Sequence, residues 1–399
     1  MMLLPIFVLA AATAAHGQTP HSTVPPADSV ALMKDAAASL AAGNLDRADS
    51  DLASALRQSP NDSHALNLLG MVRAAQQRNA EAEQLFKRVI LLQPDSANGH
   101  VNLGLLYLQM SKLDEAVPQL QEALRIDPSR TDARGALLNA LRAQAHESVR
   151  EGKLEKALSL LLTARKASPK NPDVLYDFAY VALRMSLYSD AETAFRQVLS
   201  AQPEDARALY GLGRAQIGLG RYQDASDTFS RYVKLNPADA SGHYALGLTL
   251  ASLEKFPQAR TEFERSVEIQ PKQTESYLEI GRIDLVEDDF EAARNDFNRV
   301  LQIDPRHAEA LAGMGRVEFG EKRYDKAASD FESSIAVDST DREPHYYLGL
   351  SYARLGRKED SEKELQIAGD REREDVERHR VVMKLLDPTG GAEAPAKDP

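Results

Sequence analysis

Eight prolines stand in register along the chain. Pro60, Pro94 and Pro128 are 34 residues apart, and so are Pro169, Pro203, Pro237, Pro271 and Pro305; between Pro128 and Pro169 the gap is 41, seven more than the period. A period of that length marks a solenoid, in which each unit is one supersecondary element that cannot bury its apolar face without a neighbour. The core of such a chain grows lengthwise, so 399 residues need not divide among several globular cores. A solenoid offers a long surface rather than a cleft, which points to a binder ahead of an enzyme.

With each proline set as slot 32, the repeats begin at Ser29, Ser63, Ala97, Leu138, Pro172, Ala206, Ala240, Thr274, Ala308 and Arg342, and the last two carry Ser339 and Arg373 in the proline slot. Slot 8 is always Gly or Ala, slot 20 is Ala from Ala48 to Ala327 and then Ser361, and slot 24 is Leu or Phe. Apolar spacings of three and four within each half are helical. Small residues at slots 8 and 20 let two antiparallel helices approach, and the large residue at slot 24 fills the space beside them. Gly43, Gly152, Gly220 and Gly356 at slot 15 suit a left-handed residue ending the first helix. Tyr188, Tyr222, Phe256, Phe290 and Tyr324 at slot 17 are read as staples preceding the second helix. The proline closes the repeat because it cannot continue a helix.

This pattern resembles the tetratricopeptide repeat over about residues 29–375, although slot 4, often tryptophan in that family, is Leu, His or Tyr here. The resemblance implies an all-α fold: a right-handed superhelical α-solenoid of about ten 34-residue helix-turn-helix repeats with a C-terminal capping helix. The insertion near 131–137 predicts one lengthened first helix over 131–149, because seven residues are nearly two helical turns, and a division of the array there. Pro118, expected about four residues into a second helix, predicts a local bend. Residues 370–386 alternate in charge over a thin apolar stripe and read as the cap, and residues 387–399 have the composition of a disordered tail.

The N-terminus predicts export. Residues 3–15 form an apolar run of secretory length, and Ala15-His16-Gly17 fits a cleavage site before Gln18, giving a signal over 1–17 and a linker over 18–28. No Lys or Arg precedes the run, so a cytoplasmic adaptor with an uncleaved N-terminus is the alternative. The net charge of −12 argues against a nucleic-acid partner, and the absence of cysteine excludes disulfides and thiolate chemistry. No cofactor is expected.

No catalytic constellation emerges. Gly211-x-Gly213 and Gly313-x-Gly315 lack the preceding strand that a nucleotide fingerprint needs, and Gly213 and Gly315 fall in slot 8. His100, His243 and His345 all sit in slot 4 of non-adjacent repeats, which suits packing rather than metal ligation. His146-Glu147 is not followed by a second histidine, and Glu287, Asp288 and Asp289 fall at a turn. An enzyme with groups on the inner wall would need two neighbouring carboxylates with strongly shifted pKa values in a pocket.

In the family that the pattern resembles, slots 2, 5, 9, 12 and 13 of the first helices line an inner, concave face. Mapped onto this chain they give Tyr176, Tyr210, Tyr244 and Tyr346 at slot 5, Tyr180, Arg214, Arg282 and Arg316 at slot 9, and Arg207, Phe319 and Arg354 at the others. Tyrosines flanked by arginines suit an extended peptide, or the tyrosines simply pack within the repeats. The family's Lys, Asn and Arg set that clamps a C-terminal carboxylate is not reproduced. Unidentified protein or peptide partners are the expectation, in an exported scaffold for envelope assembly or secretion.

Overall fold

The structure, a computed structural model, describes residues 27–386, so the signal-like segment, most of the linker and the tail lie outside the described residues. It contains twenty helices and no strand among the described residues, in two compact units that meet in sequence at Pro203 and Glu204. Unit 1 comprises α1 (Ala27–Ala41), α2 (Leu45–Gln58), α3 (Ser63–Ala75), α4 (Asn79–Leu92), α5 (Ala97–Gln109), α6 (Leu113–Ile126), α7 (Thr131–Arg150), α8 (Leu154–Ala167), α9 (Pro172–Arg184) and α10 (Tyr188–Ala201). Unit 2 comprises α11 (Ala206–Gly218), α12 (Tyr222–Leu235), α13 (Ala240–Ser252), α14 (Phe256–Ile269), α15 (Thr274–Val286), α16 (Phe290–Ile303), α17 (Ala308–Gly320), α18 (Tyr324–Val337), α19 (Arg342–Arg354) and α20 (Lys358–Leu386). Odd-numbered helices are the first of each repeat and even-numbered the second.

The slots explain the elements. The connection after slot 32 supplies the next cap: Asp62, Asn171, Asp205, Asp239 and Asp341, all at slot 34, accept backbone N–H bonds from the first turn that follows. At slot 15 every repeat turns left-handed. The four glycines do so at φ of 70–77°, and Gln77, Ser111, Ser186, Glu254, Asp288 and Lys322 do so at 57–62° despite their side chains. Slot 24 forms the spine of the core: Phe86, Phe195, Phe229, Phe263, Phe297 and Phe331 are each under 2% exposed. The small residue at slot 8 is set by this ring. A Cβ on Gly281 would lie 2.8 Å from the Phe297 ring, and one on Gly313 in the next repeat 2.6 Å from it, so one aromatic is clasped by the first helices of two repeats.

Several expectations need adjustment. The slot 17 residues open the second helices as their first residues rather than preceding them. Helix α1 starts at Ala27, inside the expected linker. The insertion does lengthen one first helix, α7, to 20 residues, but the two units part at Pro203/Glu204, not there. Pro118 is the sixth residue of α6, which continues through it to Ile126. The cap is not a separate helix: α20 runs 29 residues from the second helix of the last repeat through 370–386. Arg373 occupies the slot where a proline would have stopped it. Proline is not required for the stop, however. After α18, the Asp338 carboxylate accepts from the Thr340 backbone N–H at 2.8 Å and ends the repeat at Ser339 without one.

Candidate interaction surface on the first helices

Among the described residues of unit 2, the slot 9 arginines reach forward to slot 2 of the next repeat. Arg282 on α15 donates to Glu309 on α17 at 3.0 Å, and Arg316 on α17 donates to Glu343 on α19 at 3.0 Å. Both partners are 27 residues on, which is one repeat minus seven. Arg282 also holds Glu279 at 2.5 Å. Between Arg282 and Arg316 lies a shallow hollow open to solvent, with Leu285, Phe297 and Ala312 among its lining residues. Glu309 and Glu343 were not singled out from the sequence; the signal that finds them is the repeated 27-residue Arg-to-Glu spacing.

The slot 5 tyrosines are divided between packing and surface. Tyr176, Tyr210 and Tyr244 lie half-buried against the slot 24 phenylalanine of their own repeat, with centroids 5.9 Å from Phe195, 5.6 Å from Phe229 and 5.8 Å from Phe263. Tyr210 also meets Tyr232 at 5.3 Å. Burial pushes the Tyr210 phenol up, and it pushes Tyr244 up to about 12 with the charges of Glu279 and Glu275 adding to the effect. Tyr346 differs: it is 45% exposed and stands edge-on over Tyr347 at 5.4 Å. Tyr347, at slot 6, is stacked on Phe331, met edge-on by Phe319 and covered by the Arg316 guanidinium 5.3 Å from its centroid. Arg207 is exposed and pairs with Asp205 at 3.0 Å. Arg214 and Arg354 are exposed, and neither has a carboxylate within ion-pair distance among the described residues. Tyr180 in unit 1 is 39% exposed.

Unit 1 presents different chemistry on its first helices. Asn102 donates to Asn67 at 2.7 Å, and Arg142 reaches Asp177 at 2.6 Å, both from slot 5 of one repeat to slot 6 of the next. His146 Nε2 stands 3.1 Å from the same Asp177, and Arg142 lies 3.4 Å from Asp173.

The slot 4 histidines have specific partners. The Nδ1 of His100, His243 and His345 lies 2.9, 2.7 and 2.6 Å from Gln119, Glu262 and Glu364, always at slot 23 of the same repeat. The other ring nitrogen of His243 faces the Pro237 carbonyl, and that of His345 the Ser339 carbonyl. At the acidic turn, Asp288 is the left-handed residue, Asp289 caps α16 and Glu287 pairs with Arg260 at 2.7 Å. All three groups are accounted for as structure.

Slots 11 and 23 face each other inside the repeat and carry polar pairs in unit 2. Thr228 donates to Gln216 at 2.8 Å. Asp284, 1% exposed, takes Arg260 at 2.6 Å on one oxygen, while its other oxygen has no hydrogen-bond partner. Burial first, and then the adjacent Asp284, together push Asp296 up to about 7. In the next repeat Glu318 is held by Arg294 and Arg323, and burial together with Glu318 pushes Asp330 up to about 6. These are carboxylate pairs of the kind a catalytic wall would need, but they sit between helices and do not line the shallow hollow.

Two models described as tetratricopeptide repeat match the chain, one over 101–172, 176–240, 212–274 and 278–344, the other over 61–129. The chain belongs to the tetratricopeptide repeat family. Solved structures similar to it include MamA 41-end from Desulfovibrio magneticus RS-1, at 24% identity and TM-score 0.41 over 42% of this chain and 95% of that one. A tetratricopeptide repeat protein from Parabacteroides merdae ATCC 43184 aligns at 18% identity and TM-score 0.42 over 64% of this chain and 98% of that one. YrrB, described as having an unusual peptide-binding site, aligns at 22% identity and TM-score 0.40 over 46% of this chain and 95% of that one. No protein with a curated description matches. Tetratricopeptide repeat proteins bind protein or peptide partners, and their fold is in general a non-catalytic interaction scaffold. No helix of the described residues is long and apolar enough to cross a membrane.

Proposed function

We propose that this tetratricopeptide repeat protein is an exported, non-catalytic scaffold that holds extended peptides or partner domains on its first-helix face, in envelope assembly or secretion. The observation that carries the binding reading is the unit 2 face: Tyr346, Arg214 and Arg354 are exposed on first helices, the two arginines have no carboxylate partner among the described residues, and a shallow hollow lies between Arg282 and Arg316. Planar aromatic and guanidinium groups bind peptide at little conformational cost, and free arginines take carboxylates. Export is supported by the apolar run over 3–15 and the small residues before Gln18.

Capture from envelope extracts compares the wild type with Tyr346→Ala/Arg354→Glu. Both sites are exposed, so the fold should survive; partners retained by the wild type and lost by the variant are expected, and identical partner sets would remove this face as the site. Tyr176, Tyr210 and Tyr244 are poorer probes because their rings pack on the core phenylalanines. The missing positive charge before the apolar run favours a second reading, a cytoplasmic adaptor. N-terminal sequencing of the mature protein separates the two: export predicts a start at Gln18, and an intact Met1 overturns it.

A further inference from the structure

The slot 9 to slot 2 ladder of unit 2 has two occupied rungs and two incomplete ones. Arg282–Glu309 and Arg316–Glu343 are complete. Between α11 and α13 the arginine is present as Arg214, but slot 2 of the next repeat is Ser241. Between α13 and α15 the acid is present as Glu275, but slot 9 of the preceding repeat is Leu248. The gap is centred on α13, which has no Asp, Glu, Lys or Arg along its length; its histidine, His243, is turned inward to Glu262. Arg214 is thus an exposed cation and Glu275 an exposed anion on opposite sides of a neutral helix, and neither has an ion-pair partner among the described residues. The nearest hydrogen-bond partner of Glu275 is the Thr274 hydroxyl at 3.4 Å.

A second observation coincides with the gap. Along this face α17 packs against both α15 and α19, whereas α13 comes less close to α11 and to α15. Between the two charges the surface of α13 is half-buried Tyr244 and Leu248, an aromatic and an aliphatic side chain side by side. In the register of the two complete rungs, Arg214 falls opposite Ser241 and Glu275 opposite Leu248, with Tyr244 between those two positions on α13.

We infer that the α11–α13–α15 face of unit 2 binds an extended peptide segment that carries an acidic and a basic residue on either side of an apolar one. Its carboxylate completes the rung at Arg214, its cation completes the rung at Glu275, and its apolar side chain lies on Tyr244 and Leu248. A guanidinium takes a carboxylate in a planar two-bond geometry, and opposite charges at the two ends fix the direction in which the segment lies. A uniformly acidic or uniformly basic segment meets a like charge at one end, which disfavours it. This inference rests on the reading of the first-helix face as the binding face and specifies the ligand for one stretch of it.

The test uses the full chain and a displayed library of random linear peptides. Sequences enriched on the wild type should carry Asp or Glu and Lys or Arg flanking an apolar residue. Arg214→Glu should weaken a synthesised enriched peptide by about tenfold or more, and Glu275→Arg similarly. The double variant Arg214→Glu/Glu275→Arg should bind the same peptide with its acid and base exchanged, which a merely destabilised protein could not do; unchanged melting of each variant confirms the fold. Enriched peptides indifferent to both substitutions but lost with Tyr346→Ala/Arg354→Glu would overturn this inference and leave the binding face intact. If no peptide is enriched over an unrelated helical protein, and the envelope capture also fails, both readings fall.

Discussion

Units 1 and 2 are built on one repeat, yet they join their first helices at different heights. In unit 1 the links run from slot 5 to slot 6, Asn67 with Asn102 and Arg142 with Asp177; in unit 2 they run from slot 9 to slot 2, Arg282 with Glu309 and Arg316 with Glu343. The burial differs too. The Asp177 side chain is 9% exposed, against 54% for Glu309 and 47% for Glu343. The lesson is that the repeat frame decides which slots become neighbours and leaves the chemistry at those slots open. The unit 1 Arg142–Asp177 link is set into the structure, and the unit 2 links lie at the surface.

The largest expected effect tests whether the frame really is shared. Phe86→Ala in unit 1 and Phe297→Ala in unit 2 each remove a ring under 2% exposed and should each cost about 3–5 kcal/mol. Urea unfolding reads this out, and a large loss in one unit with a negligible one in the other would break the equivalence. The contrast between the links comes next. Arg142→Ala leaves the nearly buried Asp177 carboxylate short of a partner and should cost about 1–3 kcal/mol. Glu343→Ala, which removes the exposed partner of Arg316, should cost less than about 1 kcal/mol; equal costs at the two sites would undo the distinction between a structural and a surface rung.

A pH dependence should belong to unit 2. Leu85, Leu160 and Ala194 fill slot 23 in three repeats of unit 1, where unit 2 has Asp296 and Asp330. Both acids have folded pKa values above the unfolded value of 3.8, about 7 and about 6, so the folded state keeps protons that the unfolded chain has released. Stability from these groups is therefore greatest below about pH 4 and falls as pH rises through their folded pKa values. Asp296→Asn should shrink the drop in melting temperature between pH 5 and pH 8 (~3 pH units spanning the titration). An unaltered drop would show that the Asp284–Asp296 pair is not its source. The smallest effect is a gain shared by the units. Ser111→Gly in unit 1 and Lys322→Gly in unit 2 relieve left-handed backbone at φ of 58° and 62° and should each stabilise by about 0.5–1 kcal/mol. A loss of stability at either would mean that its side chain contributes more than its backbone costs.

Much of this was legible in the residues. The proline beat placed the helix pairs, slot 15 announced the left-handed turn in the repeats that carry glycine, and the insertion announced the long α7. The same turn in Ser111 or Lys322 carried no local signal, because there the conformation is imposed by the helices on either side. The candidate face was half legible. Slots 5 and 9 point to the tyrosines and arginines, but three of the tyrosines lean on the core phenylalanines, and the acids at slot 2 carry no signal of their own because an isolated Glu on a helix surface looks like any other. The join of cap and second helix in α20 follows from the missing proline at Arg373, because the charge pattern of 370–386 alone does not distinguish a separate cap from a continued helix.

The order of helices, their lengths and their pairing were determined by the chain alone, since each depends on backbone preferences and on side chains within one repeat or the next. Which arginine met which carboxylate, and which acid had its pKa pushed up, was decided only on packing. Those partners lie 24 to 35 residues apart on adjoining helices, and the rotation and spacing of the helices set whether two charges touch, are buried together or stand unpaired toward solvent.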